Sequence, residues 1–207
     1  MSERIQVIIA SAIIAVIAIW LPFYQAETGS LLDQYDYYAN VIWQEPWRIF
    51  TAHIFHLDAT HAVTNAIALV LVTLFFAHHF SVRTWFNAVI VITVICIVVV
   101  WLIGTPERFV GLSALIHGLL LTSLLLEWSQ QNYARTDWLS PLAIGLLVLK
   151  VLLEIIGVMH SAILLSAGAD YGYIHLAGLV GGVIAWRLHR KRLASITSKP
   201  RPPANNE

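Results

Sequence analysis

Apolar residues in this chain fall into long runs rather than into the short alternations of a β protein. Six runs can be marked, at about Ile5 to Pro22, His56 to Phe76, Trp85 to Ile103, Leu112 to Leu126, Leu139 to Val158 and Tyr173 to Leu188. Each reaches or approaches the roughly 20 residues that an α-helix needs to cross bilayer hydrocarbon. The pattern predicts an all-α membrane protein, a six-transmembrane-helix bundle forming one domain over residues 1–190. A basic and polar tail, residues 191–207, follows and is expected to be disordered.

Between the first two runs, Phe23 to Phe55 breaks the pattern. Asp33, Asp36 and Glu45 mix there with Tyr35, Tyr37, Tyr38, Trp43 and Trp47. Aromatic residues of this kind prefer the headgroup layer, which places the segment on the outer face, partly embedded. The short links Thr105 to Val110 and His160 to Asp170 are expected on the same side. The first run follows Arg4 and imitates a secretory signal, but no small-residue cleavage site follows it and Trp20 closes it. It reads as a retained first helix.

Composition agrees with the runs: 58 % of residues are hydrophobic, only 12 % are charged and the mean hydropathy is +0.74, which excludes a water-soluble domain. Net charge is zero, so there is no electrostatic reason to expect nucleic acid as a partner. Six of the twelve Lys and Arg lie between Arg187 and Arg201, directly after the last run, and the positive-inside rule puts that end in the cytoplasm. With six spans, both termini are cytoplasmic. The single cysteine, Cys96, sits inside an apolar run and can form no intrachain disulfide. No cofactor or metal site is expected.

Polar groups inside spanning segments are costly and so mark function. His56, His61 and Asn65 open the second run, and Ser113 and His117 open the fourth. Lys150 and Glu154 lie late in the fifth, and His175 opens the sixth. The second, fourth and sixth helices run in the same direction, so their starts share one depth. His61, Asn65, Ser113 and His175 are therefore expected to meet just below the outer surface.

The chemistry follows from the types. Ser113 lies in GLSALIHG, where Gly111 permits a sharp entry turn and the helix N-terminus favours developing negative charge. His175 lies in IHLAGLVGG, where Gly178 and Gly182 form a face of small residues. Ala114 and Gly118 offer a matching face, and packing of the two would let the imidazole take the Ser113 proton. His61 and Asn65, one turn apart, join the Ser113 backbone N–H as oxyanion donors. The blander readings are a serine packed between helices, a histidine lining a polar cavity, and a hydrogen-bonded cluster tying loop to helix. Lys150 and Glu154, four apart, reduce each other's penalty; Glu154 is also a candidate to face the cavity and bind substrate or an acceptor. His117, one turn beyond the serine, is a competing base.

Three motifs together resemble the rhomboid family of intramembrane serine proteases, over most of the chain from Trp47 to Trp186. WRIFTAHIFHLDATHAVTN resembles the family's Trp-Arg loop followed by His-x4-His-x3-Asn, GLSALIHG its Gly-x-Ser-Gly, and IHLAGLVGG its Ala-His-x-x-Gly-x-x-x-Gly. The resemblance implies a Ser113 and His175 dyad without a third carboxylate, and an oxyanion site from His61, Asn65 and backbone. It also implies a Trp47–Arg48 loop in the outer leaflet. Ala114 departs from the family's glycine, and His117 stands where a tyrosine often packs on the catalytic imidazole. His117 with Gly118, the compact chain and LKVLLEIIG resemble the rhombosortase subfamily. That resemblance implies substrates with a C-terminal Gly-Gly motif, a hydrophobic segment and a basic tail, processed at the periplasmic side of a bacterial inner membrane. The expected partners are thus transmembrane substrate proteins and membrane lipids. The alternatives are a catalytically inactive rhomboid-like protein that binds membrane helices, and a small transporter using the polar cluster as a pathway.

Overall fold

Each of the six apolar runs forms a helix in the computed structural model, which describes residues 1–28, 31–130, 138–159 and 170–197. The first, α1 (Glu3–Thr28), contains Pro22 and carries on past it. Two short helices follow, α2 (Leu32–Tyr35) and α3 (Arg48–Ile54), and then come α4 (Ala59–Phe76), α5 (Val82–Ile103), α6 (Ser113–Gln130), α7 (Leu139–Ile155) and α8 (Asp170–Thr197). A two-residue strand, β1 (Tyr37–Tyr38), pairs antiparallel with β2 (Arg108–Phe109). The helix α8 runs on to Thr197, so the boundary expected at residue 190 falls inside it. Residues 198–207, and the 160–170 link expected from sequence except for Asp170 itself, lie outside the described residues.

Three segments are long and apolar enough to cross a membrane on length and composition: Glu3–Tyr24, Ala59–His79 and Val82–Ile103. Position explains why α6 reads as less apolar. It packs against α4, α5, α7 and α8 and buries residues on all its faces, including Leu115, Leu119, Thr122, Ser123 and Leu126. A helix enclosed by protein needs no surface matched to lipid, so it tolerates Ser113 and His117 at one end and Glu127 to Gln130 at the other. The outer helices do the reverse, exposing Ile9, Ile13 and Val16 of α1, Ile67 and Leu71 of α4, Ile90 and Leu102 of α5, and Leu146 and Leu149 of α7. Apolar exposure on that scale is stable only against hydrocarbon.

The tightest helix contact is between α6 and α8. Thr122 Oγ1 lies 2.8 Å from the Gly118 carbonyl oxygen and 3.0 Å from that of Gly182, tying the two backbones together. A Cβ at Gly182 would meet the Gly118 backbone, and one at Gly178 would meet the Ala114 carbonyl. The two small-residue faces expected from sequence do pack on one another.

The segment between α1 and α4 is held by a buried arginine. Arg48 is 4 % exposed and uses its whole fork, with Nη1 on Asp36 Oδ1 at 2.7 Å, Nη2 on the Asp33 carbonyl at 2.7 Å and Nε on Glu45 Oε2 at 2.5 Å. Asp36 also binds Arg108 Nε at 2.6 Å, joining the segment to the link that leads into α6. The carboxylates of Asp36 and Asp33 hold the Arg108 guanidinium charged even more firmly than usual. Removing one member of a buried pair leaves the other uncompensated, at about 3–5 kcal/mol. Arg48→Ala is therefore expected to lower the thermal unfolding midpoint in detergent markedly, while Arg83→Ala, away from this cluster, should leave it nearly unchanged.

Candidate active site

The start of α4 is fixed by Asp58, whose carboxylate accepts the backbone N–H of His61 at 2.8 Å. That cap sets the first turn so that His61 and Asn65 point together at the approach to α6. Gly111 makes their approach possible: its φ of +123° suits only glycine, and a Cβ there would stand 2.8 Å from His61 Cε1 and 3.4 Å from Asn65 Nδ2. The turn is held by the Gly111 N–H, which donates to the Ala52 carbonyl at 2.8 Å. His56 supports it from beneath, accepting the Leu112 N–H on Nε2 at 3.4 Å while its Nδ1 donates to the Ile54 carbonyl at 2.9 Å.

Ser113 begins α6 two residues later and is half-buried. His175 lies in the first turns of α8, 4 % exposed, three residues before Gly178. The backbones of α6 and α8 touch where Gly178 meets Ala114, the residue after the serine. One turn further, the ring of His117 stacks on that of His175, with centroids 4.0 Å apart and planes 15° from parallel. A histidine thus occupies the packing place that the family resemblance gives to an aromatic ring. His61 lies within electrostatic range of His175. Among the described residues, no hydrogen bond joins Ser113 Oγ to His175. Such bonds are often long before substrate binds and tighten in the reacting complex.

Three buried polar atoms around this point have no partner among the described residues: His175 Nε2, Asn65 Nδ2 and His61 Nδ1. Buried polar groups are normally paired, so each of these atoms has hydrogen-bonding capacity left to offer. Asn65 Nδ2 can only donate, and His61 Nδ1 donates or accepts according to its tautomer.

His117 does not fit the role of a competing base. Its Nδ1 lies 2.7 Å from the Ser113 carbonyl and must donate to it, and its Nε2 then accepts from Lys150 Nζ at 2.9 Å. Both nitrogens are engaged. Lys150 also binds Glu154 Oε1 at 2.7 Å, as the four-residue spacing suggests. What the spacing does not suggest is the other carboxylate oxygen of Glu154, which lies 2.7 Å from His175 Nδ1. At the far end of the bundle, His79 Nε2 and His78 Nε2 lie 2.8 Å and 3.3 Å from Glu127 Oε2. That group is spaced closely enough to hold a metal ion, and no sequence periodicity signals it because Glu127 lies 48 residues beyond His79.

A helical membrane protein that gathers hydroxyl, imidazole and amide groups at one end of its central helix has the makings of an intramembrane protease. The family model described as Rhomboid domain matches residues 43–192, well over half of the chain. No curated protein matches it. The chain belongs to the rhomboid family, membrane-embedded serine proteases that act on transmembrane substrates.

Proposed function

We propose that this chain is a six-span intramembrane endopeptidase in which Ser113 is the nucleophile and His175 the base. The observation that carries the reading is the close contact of Gly178 with the Ala114 backbone, which brings the first turns of α6 and α8 together around the His117–His175 stack. Both termini face the cytoplasm, and the site opens toward the periplasm of a bacterial inner membrane.

A substrate helix enters from the side, unwinds where glycines make unwinding easy, and presents an extended peptide bond. Ser113 Oγ bonds to the carbonyl carbon as its proton passes to His175 Nε2. The carbonyl oxygen becomes an oxyanion held by Asn65, His61 and backbone N–H groups. Collapse breaks the C–N bond, and the leaving amine takes the proton from Nε2, leaving an ester on Ser113. A second nucleophile then gives its proton to Nε2 and its oxygen or nitrogen to the acyl carbon; the ester C–Oγ bond breaks and Ser113 Oγ takes the proton back from Nε2, which restores both groups. Gly111 keeps the oxyanion pocket open because no side chain fits between it and His61.

The substrates are secreted bacterial proteins with a C-terminal Gly-Gly motif, a hydrophobic segment and a basic tail, as in the rhombosortase subfamily. The motif pairing His117 with Gly118, and the Lys150–Glu154 pair beside it, support that assignment. Incubation of the purified chain in lipid vesicles with such a tail fused to a carrier, followed by intact-mass spectrometry, tests it. Cleavage next to the glycines is expected, and the mass of the new C-terminus distinguishes a free carboxylate from an added amine-bearing group. A tail released equally well after both glycines are changed to leucine would remove the substrate assignment.

A further inference from the structure

The dyad expected from sequence leaves one geometric fact unused: the imidazole of His175 is held from behind. Its Nδ1 lies 2.7 Å from Glu154 Oε2, and both side chains are almost wholly buried, 5 % and 7 % exposed. A carboxylate only accepts, so the proton of a neutral imidazole must sit on Nδ1. The lone pair then sits on Nε2, the ring atom without a partner among the described residues. That is the tautomer a base needs.

The packing is arranged to bring the carboxylate to this place. At Gly172, one turn before His175, an added Cβ would stand 2.7 Å from the Ile155 amide nitrogen and 3.0 Å from the Glu154 carbonyl carbon. The missing side chain lets the last turn of α7 lie directly on the first turn of α8. Lys150 Nζ fixes the other carboxylate oxygen at 2.7 Å, and also reaches His117 Nε2 at 2.9 Å. His117 in turn stacks on His175, so among the described residues the charged and titratable groups facing this imidazole are Glu154, Lys150, His117, His61 and Tyr171. A lysine alone would neutralise the carboxylate in the membrane. The contact to Nδ1 is additional to that need.

We propose that Glu154 is a positioning residue for His175, holding its Nδ1 proton so that Nε2 is free to receive the proton of Ser113. This rests on the reading of Ser113 and His175 given above and adds a third member to it. When Nε2 takes the proton, the Nδ1 proton stays where it is and the carboxylate stabilises the imidazolium across a charge-assisted hydrogen bond. No proton passes to Glu154.

Glu154→Gln separates this role from a structural one. Lys150 Nζ only donates and the amide oxygen is the only amide atom that accepts, so the oxygen is held toward Nζ and the NH2 group turns toward His175 Nδ1. The imidazole must then accept at Nδ1 and carry its proton on Nε2, where it can no longer act as a base. In soluble serine proteases the equivalent loss is about 10^4-fold in kcat. The full chain in lipid vesicles, cleaving a tail substrate, is therefore expected to lose at least about 10^3-fold in kcat with KM within about twofold. Glu154→Asp, which retains a carboxylate, should recover part of the rate.

A kcat within about threefold of the native value would overturn the proposal, as would a loss confined to KM, which would make Glu154 a substrate-binding group instead. If the Gln variant does not fold, 15N NMR of selectively labelled histidine in the native chain decides: a proton on Nδ1 of His175 supports the role, and one on Nε2 ends it. Ser113→Ala run alongside keeps the two readings apart. Full activity in that variant would remove the serine mechanism itself, whereas an inactive Ser113→Ala beside an undiminished Glu154→Gln would remove only the positioning role.

Discussion

Ser113→Ala is expected to reduce cleavage of a transmembrane substrate by at least about 10^4-fold, to the residual rate that the oxyanion donors and binding alone support. The substitution removes one oxygen from a half-buried position at the start of α6 and disturbs little else, because among the described residues no side-chain hydrogen bond of the fold uses Ser113 Oγ. Its carbonyl, which accepts from His117 Nδ1 at 2.7 Å, remains. The unfolding midpoint should stay within a few degrees of the native value. Loss of activity with stability retained is the signature of a missing nucleophile; substrate should still bind, since nothing that shapes the pocket has changed. Parallel cleavage and thermal-unfolding measurements on the same vesicle preparations check both halves.

Gly178→Leu should have the second largest effect, for a different reason. Even a single Cβ at Gly178 would lie 2.8 Å from the Ala114 carbonyl carbon and 3.0 Å from its Cα, and both are backbone atoms that cannot swing aside. The helices α6 and α8 must separate. Overpacking of this kind costs about 1–3 kcal/mol, and displacing a reacting group by about 1 Å can cost about 100-fold in rate. The variant is expected to lose at least that factor in cleavage and to unfold at lower temperature. Gly145→Ala on α7 is the control. A Cβ at Gly145 meets nothing within 4 Å, and removing a glycine from a helix interior gains about 0.5–1 kcal/mol, so stability should rise slightly and cleavage persist.

Much of this architecture was legible because membrane helices announce themselves by length and apolarity. The runs located all six long helices, and the spacing of Gly178 and Gly182 against Ala114 and Gly118 located the tightest contact. The placing of His61 and Asn65 beside Gly111 was also within reach, since equal depth follows from helix direction. Other features were hidden for physical reasons. The short helices α2 and α3 have no apolar period of their own and depend on Arg48, whose partners Asp33, Asp36 and Glu45 lie on both sides of β1. Glu154 was masked by Lys150: a charge with a neighbour four residues away looks satisfied, and nothing local reveals that its second oxygen reaches α8. For His117, sequence showed an ionisable ring one turn from Ser113, but only the fold shows both of its nitrogens engaged.

The central claim is that one hydroxyl in this membrane domain is made reactive by one imidazole. Labelling with a fluorophosphonate, followed by peptide mapping, tests it directly. The adduct is expected on Ser113 of the native chain, absent in Ser113→Ala and strongly slowed in His175→Ala. Equal labelling of all three proteins, or an adduct carried by another residue, would contradict it.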